Sequence, residues 1–388
     1  MDIKKKMIIT IPKNNPSQAA QTQQPGASKR PGRSTAFTLF ILALLAGILL
    51  SACSGSSLTP SSWPGLATNG DALFVALSSH VYAVDAKGNE MWRYPAEADR
   101  SKTFYADPAV TSDGQVIVGD YSKNLYSIDS SANGAELWVF DQAEKNYIGS
   151  ALVTDDAIYA PNTDNNLYVL NRQGQLQWTF ATNHSLWAEP VLGENTLYLP
   201  AMDHNLYAID LETHEAKWSL DMGGAMVAPF ALDENGILYG GTLAKELIAV
   251  NTNDQSIVWR FPTNGSVWAT PAIQDGVLYF GDSGGTIYAV NASDGSQKWS
   301  LDAGSPVIAS VALYADGFIV GTEDGKIHQV NFDGSKKTWA RQLEGKLYTT
   351  PVILNDNIII FAVTDSKTEL LIAFDMSGNE IWTYLPEK

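Results

Sequence analysis

From about residue 60 onward, apolar and polar positions follow one phrase written eight times. A representative copy runs Leu278-Tyr279-Phe280-Gly281-Asp282, then Ile287-Tyr288-Ala289-Val290-Asn291, then Gly295 and Trp299. Most copies open with Pro and a small-plus-apolar pair, as in Pro108-Ala109-Val110, Pro190-Val191-Leu192, Pro271-Ala272-Ile273 and Pro351-Val352-Ile353. A tryptophan closes each copy: Trp92, Trp138, Trp178, Trp218, Trp259, Trp299, Trp339 and Trp382, at intervals of 40 to 46 residues. Each copy thus holds four short β-branched or aromatic runs bounded by Gly, Asp and Asn, the pattern of strands separated by turns. The pairs Asp113-Gly114, Asp275-Gly276, Asp324-Gly325 and Asp333-Gly334 tolerate the positive φ that tight hairpins need. No helical periodicity of useful length follows residue 60.

Four strands in roughly 40 residues, repeated eight times, predict an all-β chain. The expected architecture is a single eight-bladed β-propeller of four-stranded antiparallel blades over residues 63–388. A linear β-solenoid would use shorter coils.

The preceding segment reads as an address. Residues 1–33 are polar and basic, residues 36–52 carry no charge, and the run ends Leu50-Ser51-Ala52-Cys53. A basic flank, an apolar run and a small-residue site make a secretory signal. The ending resembles the bacterial lipobox, which implies lipidation of the Cys53 thiol and cleavage just before it. Residues 1–52 are then a long n-region plus signal, and residues 53–62 are a lipidated Cys and Ser/Gly-rich flexible tether. The alternative is an uncleaved membrane anchor. Both readings place the body outside the cytoplasm as a membrane-anchored protein, on the outer face of the cytoplasmic membrane or at an outer membrane.

Composition narrows the chemistry. Cys53 is the one cysteine of 388 residues, so neither a disulfide framework nor a multi-thiolate zinc site is available. The chain has 25 Lys plus Arg against 42 Asp plus Glu, net −17. Seven of the cations and one acid precede Cys53, leaving the body at 18 against 41, a net of −23. Such a body repels phosphate, so nucleic acid is not an expected partner.

The segment Ala289-Val290-Asn291-Ala292-Ser293-Asp294-Gly295-Ser296-Gln297-Lys298-Trp299 resembles the tryptophan-docking motif of pyrroloquinoline-quinone (PQQ) type propellers, Ala-x-Asp-x-x-Thr-Gly-x-x-x-Trp. Ala208-Ile209-Asp210-Leu211-Glu212-Thr213 with Trp218 matches it, with His214 where Gly is usual; Ala83-Val84-Asp85 with Gly88 and Trp92 is one residue shorter. All eight copies carry a form of it. The resemblance implies that these tryptophans stack on the neighbouring blade's turn, with the small Ala making room and the acid accepting turn N–H groups. They are read as structural.

Members of this repeat family that are PQQ-dependent dehydrogenases stack the cofactor on a disulfide between adjacent cysteines and hold Ca²⁺ with Glu and Asn beside a catalytic Asp. This chain has no second cysteine, and no acid matches the calcium ligands. No catalytic residue carries over, and the expectation is no enzyme, no cofactor and no metal. His80, His184, His204, His214 and His328 have no zinc-chelating spacing. Asp155-Asp156 and Asp164-Asn165-Asn166 are turns without an EF-hand's spacing, and Gly281-Asp282-Ser283-Gly284-Gly285 is a hairpin loop with no following helix to cradle phosphate.

One set of residues invites a binding role. Three positions before the Pro that opens each copy, or its equivalent, stand Ser61, Tyr105, Tyr147, Trp187, Met226, Trp268, Val307 and Tyr348. With the first strand innermost, Tyr105, Tyr147, Trp187, Trp268 and Tyr348 would ring one mouth of the axial channel, either plugging gaps between blades or forming a ligand or peptide platform. The variable loops leading there are where binding usually resides.

Two functional classes follow. In size, lipobox, blade number and repeat type the chain resembles the propeller lipoproteins of the outer-membrane barrel-assembly machinery. That implies a non-catalytic, monomeric binding or scaffold module for cell-envelope proteins. The other class is a small-molecule or cofactor binder, including a degenerate PQQ-type oxidoreductase.

Overall fold

A computed structural model describes residues 63–131 and 133–387, with residues 337–340 described by backbone alone. The signal segment and Cys53 lie outside the described residues, as does Ser61. All regular structure among the described residues is strand, arranged as eight four-stranded sheets. Within every sheet the strands follow chain order, each antiparallel to the next, from Gly65–Thr68 at the start of blade 1 to Glu380–Tyr384 at the end of blade 8. The protein is an eight-bladed β-propeller.

The strand chemistry explains the stacking. Second and third strands are buried throughout most of their length, as in Val277–Gly281 and Thr286–Asn291 of blade 6, because neighbouring blades cover both of their faces. The fourth strand, Gln297–Asp302 in blade 6, alternates exposed and half-buried positions at the rim. The apolar core is accordingly divided into eight clusters, one at each blade junction. The last junction pairs Leu66, Leu73, Val75 and Val84 of blade 1 with Ile360, Leu371 and Ala373 of blade 8. First strands of neighbouring blades approach one another, which places them innermost.

The motif tryptophans lie between blades. Trp138, Trp259 and Trp299 donate their indole N–H to the carbonyls of Arg172, Ala292 and Phe332 in the following blade, at 3.0, 2.9 and 3.0 Å. In blades 1, 4, 5, 6 and 8 the motif Ala pairs directly across from Trp, as in Ala289 with Trp299 and Ala83 with Trp92, and the ladder shifts register just after that pair. Trp92 is buried, whereas Trp138, Trp178, Trp218, Trp259, Trp299 and Trp382 are half-buried. The side chain of Trp339 lies outside the described residues. His214, which replaces the motif Gly, adopts φ 62° and stacks its ring on Trp178 at 4.4 Å and 11°. The flat imidazole preserves the contact that the glycine turn makes elsewhere.

The motif acid holds the turn. The Asp210 carboxylate accepts the Thr213 and Glu212 amides at 3.0 and 2.8 Å. The Thr213 bond, the Lys217 ammonium and the Glu212 bond together bring its pKa down to about 2.

Candidate functional site

The loop entering each first strand is built by alternation. Phe104, Tyr147, Leu186, Met226, Val267, Val307 and Leu347 form a buried ring, each at most 1% exposed. Their amides anchor them to the preceding blade's hairpin: Tyr147 to the Asp120 carbonyl at 3.0 Å, Val267 to Thr242 at 3.1 Å, Val307 to Asp282 at 2.9 Å. The Tyr147 side chain fits against Gly119, where any Cβ would collide with it.

The next residue in each loop turns toward the axis. Trp63, Tyr105, Ile148, Trp187, Val227, Trp268, Ile308 and Tyr348 stand at equivalent places, one per blade, and all are partly exposed. Five are aromatic. Trp63 lies 5.6 Å from Tyr348 between ring centroids, and Tyr105 lies 5.0 Å from Tyr121. The Tyr348 hydroxyl donates to Glu323 Oε1 at 2.7 Å.

Four of the five expected mouth residues, Tyr105, Trp187, Trp268 and Tyr348, therefore share one collar. Tyr147 does not; it belongs to the buried ring, and Trp63 is the fifth aromatic. Met226 and Val307 are buried for the same reason. The cause is the ruler used to count. Proline marks the register in blades 2, 4, 6 and 8, but Ala151, Phe230 and Val311 take its place in blades 3, 5 and 7, and Leu66 in blade 1. Counting back from the strand pairing, Ala67 with Phe74 and Ala109 with Ile117, would have found Trp63.

Beneath the collar all eight blades line one axial cavity of about 480 Å³. Two residues below each collar position the blades present Gly65, Asp107, Ser150, Glu189, Pro229, Thr270, Ser310 and Thr350. Several of these stitch adjacent blades together. The Thr270 amide donates to Ser310 Oγ at 3.1 Å, the Ser310 amide to Thr350 Oγ1 at 3.2 Å, and the Leu66 amide to Asp107 Oδ1 at 3.0 Å. Glu189 makes no such stitch.

Asp107 and Glu189 are thus two acids in a cavity whose lining contains no Lys, Arg or His. Asp107 has exposed surface because the channel is open, yet protein crowds around it on all sides. Burial pushes Asp107 up to about 6, opposed by the Leu66 amide. Burial pushes Glu189 up to about 7, and the charge of Asp107 adds to the shift. Composition hid these two among the chain's 42 acids; only their convergence on the axis sets them apart.

The family model of outer membrane protein assembly factor BamB matches residues 49–226 and again 202–387. A tetrathionate hydrolase of Acidithiobacillus ferrooxidans is 26% identical over 197 residues, 42% of this chain and 39% of that protein. The outer membrane protein assembly factor BamB of Moranella endobia is 26% identical over 213 residues, 50% of this chain and 53% of that protein. The matches thus span about half or less of these relatives' lengths. Among solved structures, BamB from Moraxella catarrhalis superposes with a TM-score of 0.68 at 18% identity, covering 79% of this chain and 94% of that one. The computationally designed Ika8 protein superposes at 0.70 and 15% identity, covering 82% and 98%. Identities this low speak for the fold alone.

Proposed function

The chain belongs to the family of outer membrane protein assembly factor BamB, and from that membership we propose that it is a non-catalytic docking propeller for cell-envelope proteins. It serves in outer-membrane protein assembly, tethered to the membrane through a lipid on Cys53. The observation that carries the reading is the collar: eight blades each contribute one apolar residue, five of them aromatic, to one open mouth. Partly exposed Trp and Tyr are the residue types that dominate interface hot spots. A body of net charge −23 favours a basic partner segment and speeds its encounter.

The test is a Trp187→Ala/Trp268→Ala double variant crosslinked in intact envelopes. It is expected to fold, with a modest loss of melting temperature, and to lose crosslinks to its partner. Normal folding with an unaltered crosslink profile would remove the mouth from the docking function.

A catalytic reading has one observation in its favour: paired acids with raised pKa values in a cavity are a common form of active site. Tetrathionate turnover by the purified protein, abolished by Glu189→Gln, would replace the docking reading.

A further inference from the structure

Asp107 and Glu189 sit where the other blades place neutral residues, and they are the acids of a cavity lined by no cation. Three of the lining hydroxyls already bond within the frame. Ser310 and Thr350 accept amides from adjacent blades, and Thr270 Oγ1 donates to the Pro229 carbonyl at 2.9 Å. Asp107 accepts the Leu66 amide through Oδ1 alone, while Glu189 makes no hydrogen bond among the described residues. Two acids of like sign facing one channel focus a negative field along it, which draws positive charge in. No cation of the cavity lining offsets it.

We propose that the axial cavity is a receptor for one cationic side chain, an arginine guanidinium or lysine ammonium, carried on an extended segment of a partner protein. The inference rests on the docking reading and names the chemistry of what docks. The cation passes the collar rings of Trp63, Tyr105, Trp187, Trp268 and Tyr348, whose ring quadrupoles can attract it. It comes to rest against Asp107 and Glu189, whose carboxylates supply the acceptors. The cavity, about 480 Å³, lies within the roughly 300–1,000 Å³ of ordinary ligand sites, so the charged side chain enters with part of its backbone. The apolar collar then packs against the flanking residues. A bare divalent ion is a poorer occupant, because Ca²⁺ takes about six to eight oxygen ligands and the lining offers two carboxylates.

The experiment titrates the purified propeller with the acetylated, amidated pentapeptide Gly-Gly-Arg-Gly-Gly and with its citrulline analogue, the neutral isostere. Binding is read by calorimetry and by the emission of the collar tryptophans. Saturable binding of the arginine peptide is expected, at least ten-fold tighter than the citrulline peptide. Asp107→Asn/Glu189→Gln should lose that ten-fold and leave citrulline binding unchanged. Glu189→Gln alone, which removes no hydrogen bond, should lose part of it and guards against a folding defect in the double variant. Equal affinity for the two peptides, or full arginine affinity in Glu189→Gln, overturns the proposal. Lost crosslinks in the Trp187→Ala/Trp268→Ala variant with no arginine preference would leave docking standing and sink the cation receptor. Arginine preference with unaltered crosslinks would uphold the receptor and sink the assembly role.

Discussion

Trp382 of the last blade donates its indole N–H to the carbonyl of Ala86 in the first blade, at 3.0 Å. This contact closes the ring. Among the described residues no strand is exchanged between the ends of the propeller, since blade 1 and blade 8 are each built from four consecutive strands. Closure rests on side chains instead. Beside the indole bond, Arg93 reaches the Glu387 carbonyl at 3.0 Å, the Thr349 hydroxyl bonds the Pro64 carbonyl, and a shared apolar cluster fills the junction.

Trp382→Ala should therefore cost roughly 3–5 kcal/mol, the range for truncating a large packed aromatic. The ring is half-buried, so the lower end is expected. Trp382→Phe should recover most of the packing and lose only the hydrogen bond, about 1 kcal/mol. Chemical denaturation of the three proteins measures both. A Trp382→Ala variant as stable as the wild type would mean that the indole does not hold the junction.

The turn beneath that indole gives a second test. Gly88 has φ 86°, and a Cβ there would lie 2.7 Å from Trp382 Cδ2. Gly88→Ala should destabilise by more than about 1 kcal/mol, because the backbone conformation and the close approach both exclude a side chain. Thermal melting of Gly88→Ala against Gly70→Ala separates the two causes. Gly70 shares the positive φ, at 92°, but has nothing within reach of a Cβ.

Tyr147 and Trp187 should part company on truncation. Tyr147 is 1% exposed and packed against Gly119, so Tyr147→Ala should cost roughly 3–5 kcal/mol. Trp187 lies in the collar and is partly exposed, so Trp187→Ala should cost less than half as much. Equal losses in denaturant titrations would mean that the collar is packing rather than a surface.

Stability should respond to the axial acids with a defined sign. Folding raises the pKa of Asp107 to about 6 and of Glu189 to about 7, above ordinary carboxylate values near 4. Between those limits the folded state binds more protons than the unfolded state, so their contribution falls as pH rises from about 4 to about 7. Asp107→Asn/Glu189→Gln should gain melting temperature relative to the wild type across that window, with the difference vanishing below about pH 4. A constant difference at all pH values would contradict the shifts.

For the anchor, Cys53→Ser should abolish incorporation of a fatty-acid probe and release the protein from the membrane fraction. Equal labelling of the two proteins would exclude lipidation at this thiol.

The blade count and strand order were legible in the chain, because the phrase from Leu278 to Trp299 repeats with its turn residues in place and each strand's neighbour is the next strand in sequence. Local chemistry was enough: β-branched runs, Asp-Gly turns and one tryptophan per unit specify a four-stranded sheet that must stack on its copies. The mouth was half legible. Tyr105, Trp187, Trp268 and Tyr348 could be counted back from proline, but Tyr147 and Trp63 exchanged roles where proline was missing or displaced. A one-residue error along an alternating segment turns a side chain from the channel into the core. Tertiary structure alone decided the rest. It brought Trp382 onto Ala86 across 296 residues, and it gathered Asp107 and Glu189, far apart in sequence, into one axial channel. Neither relationship has a local signal, since each arises only when eight similar units close around an axis.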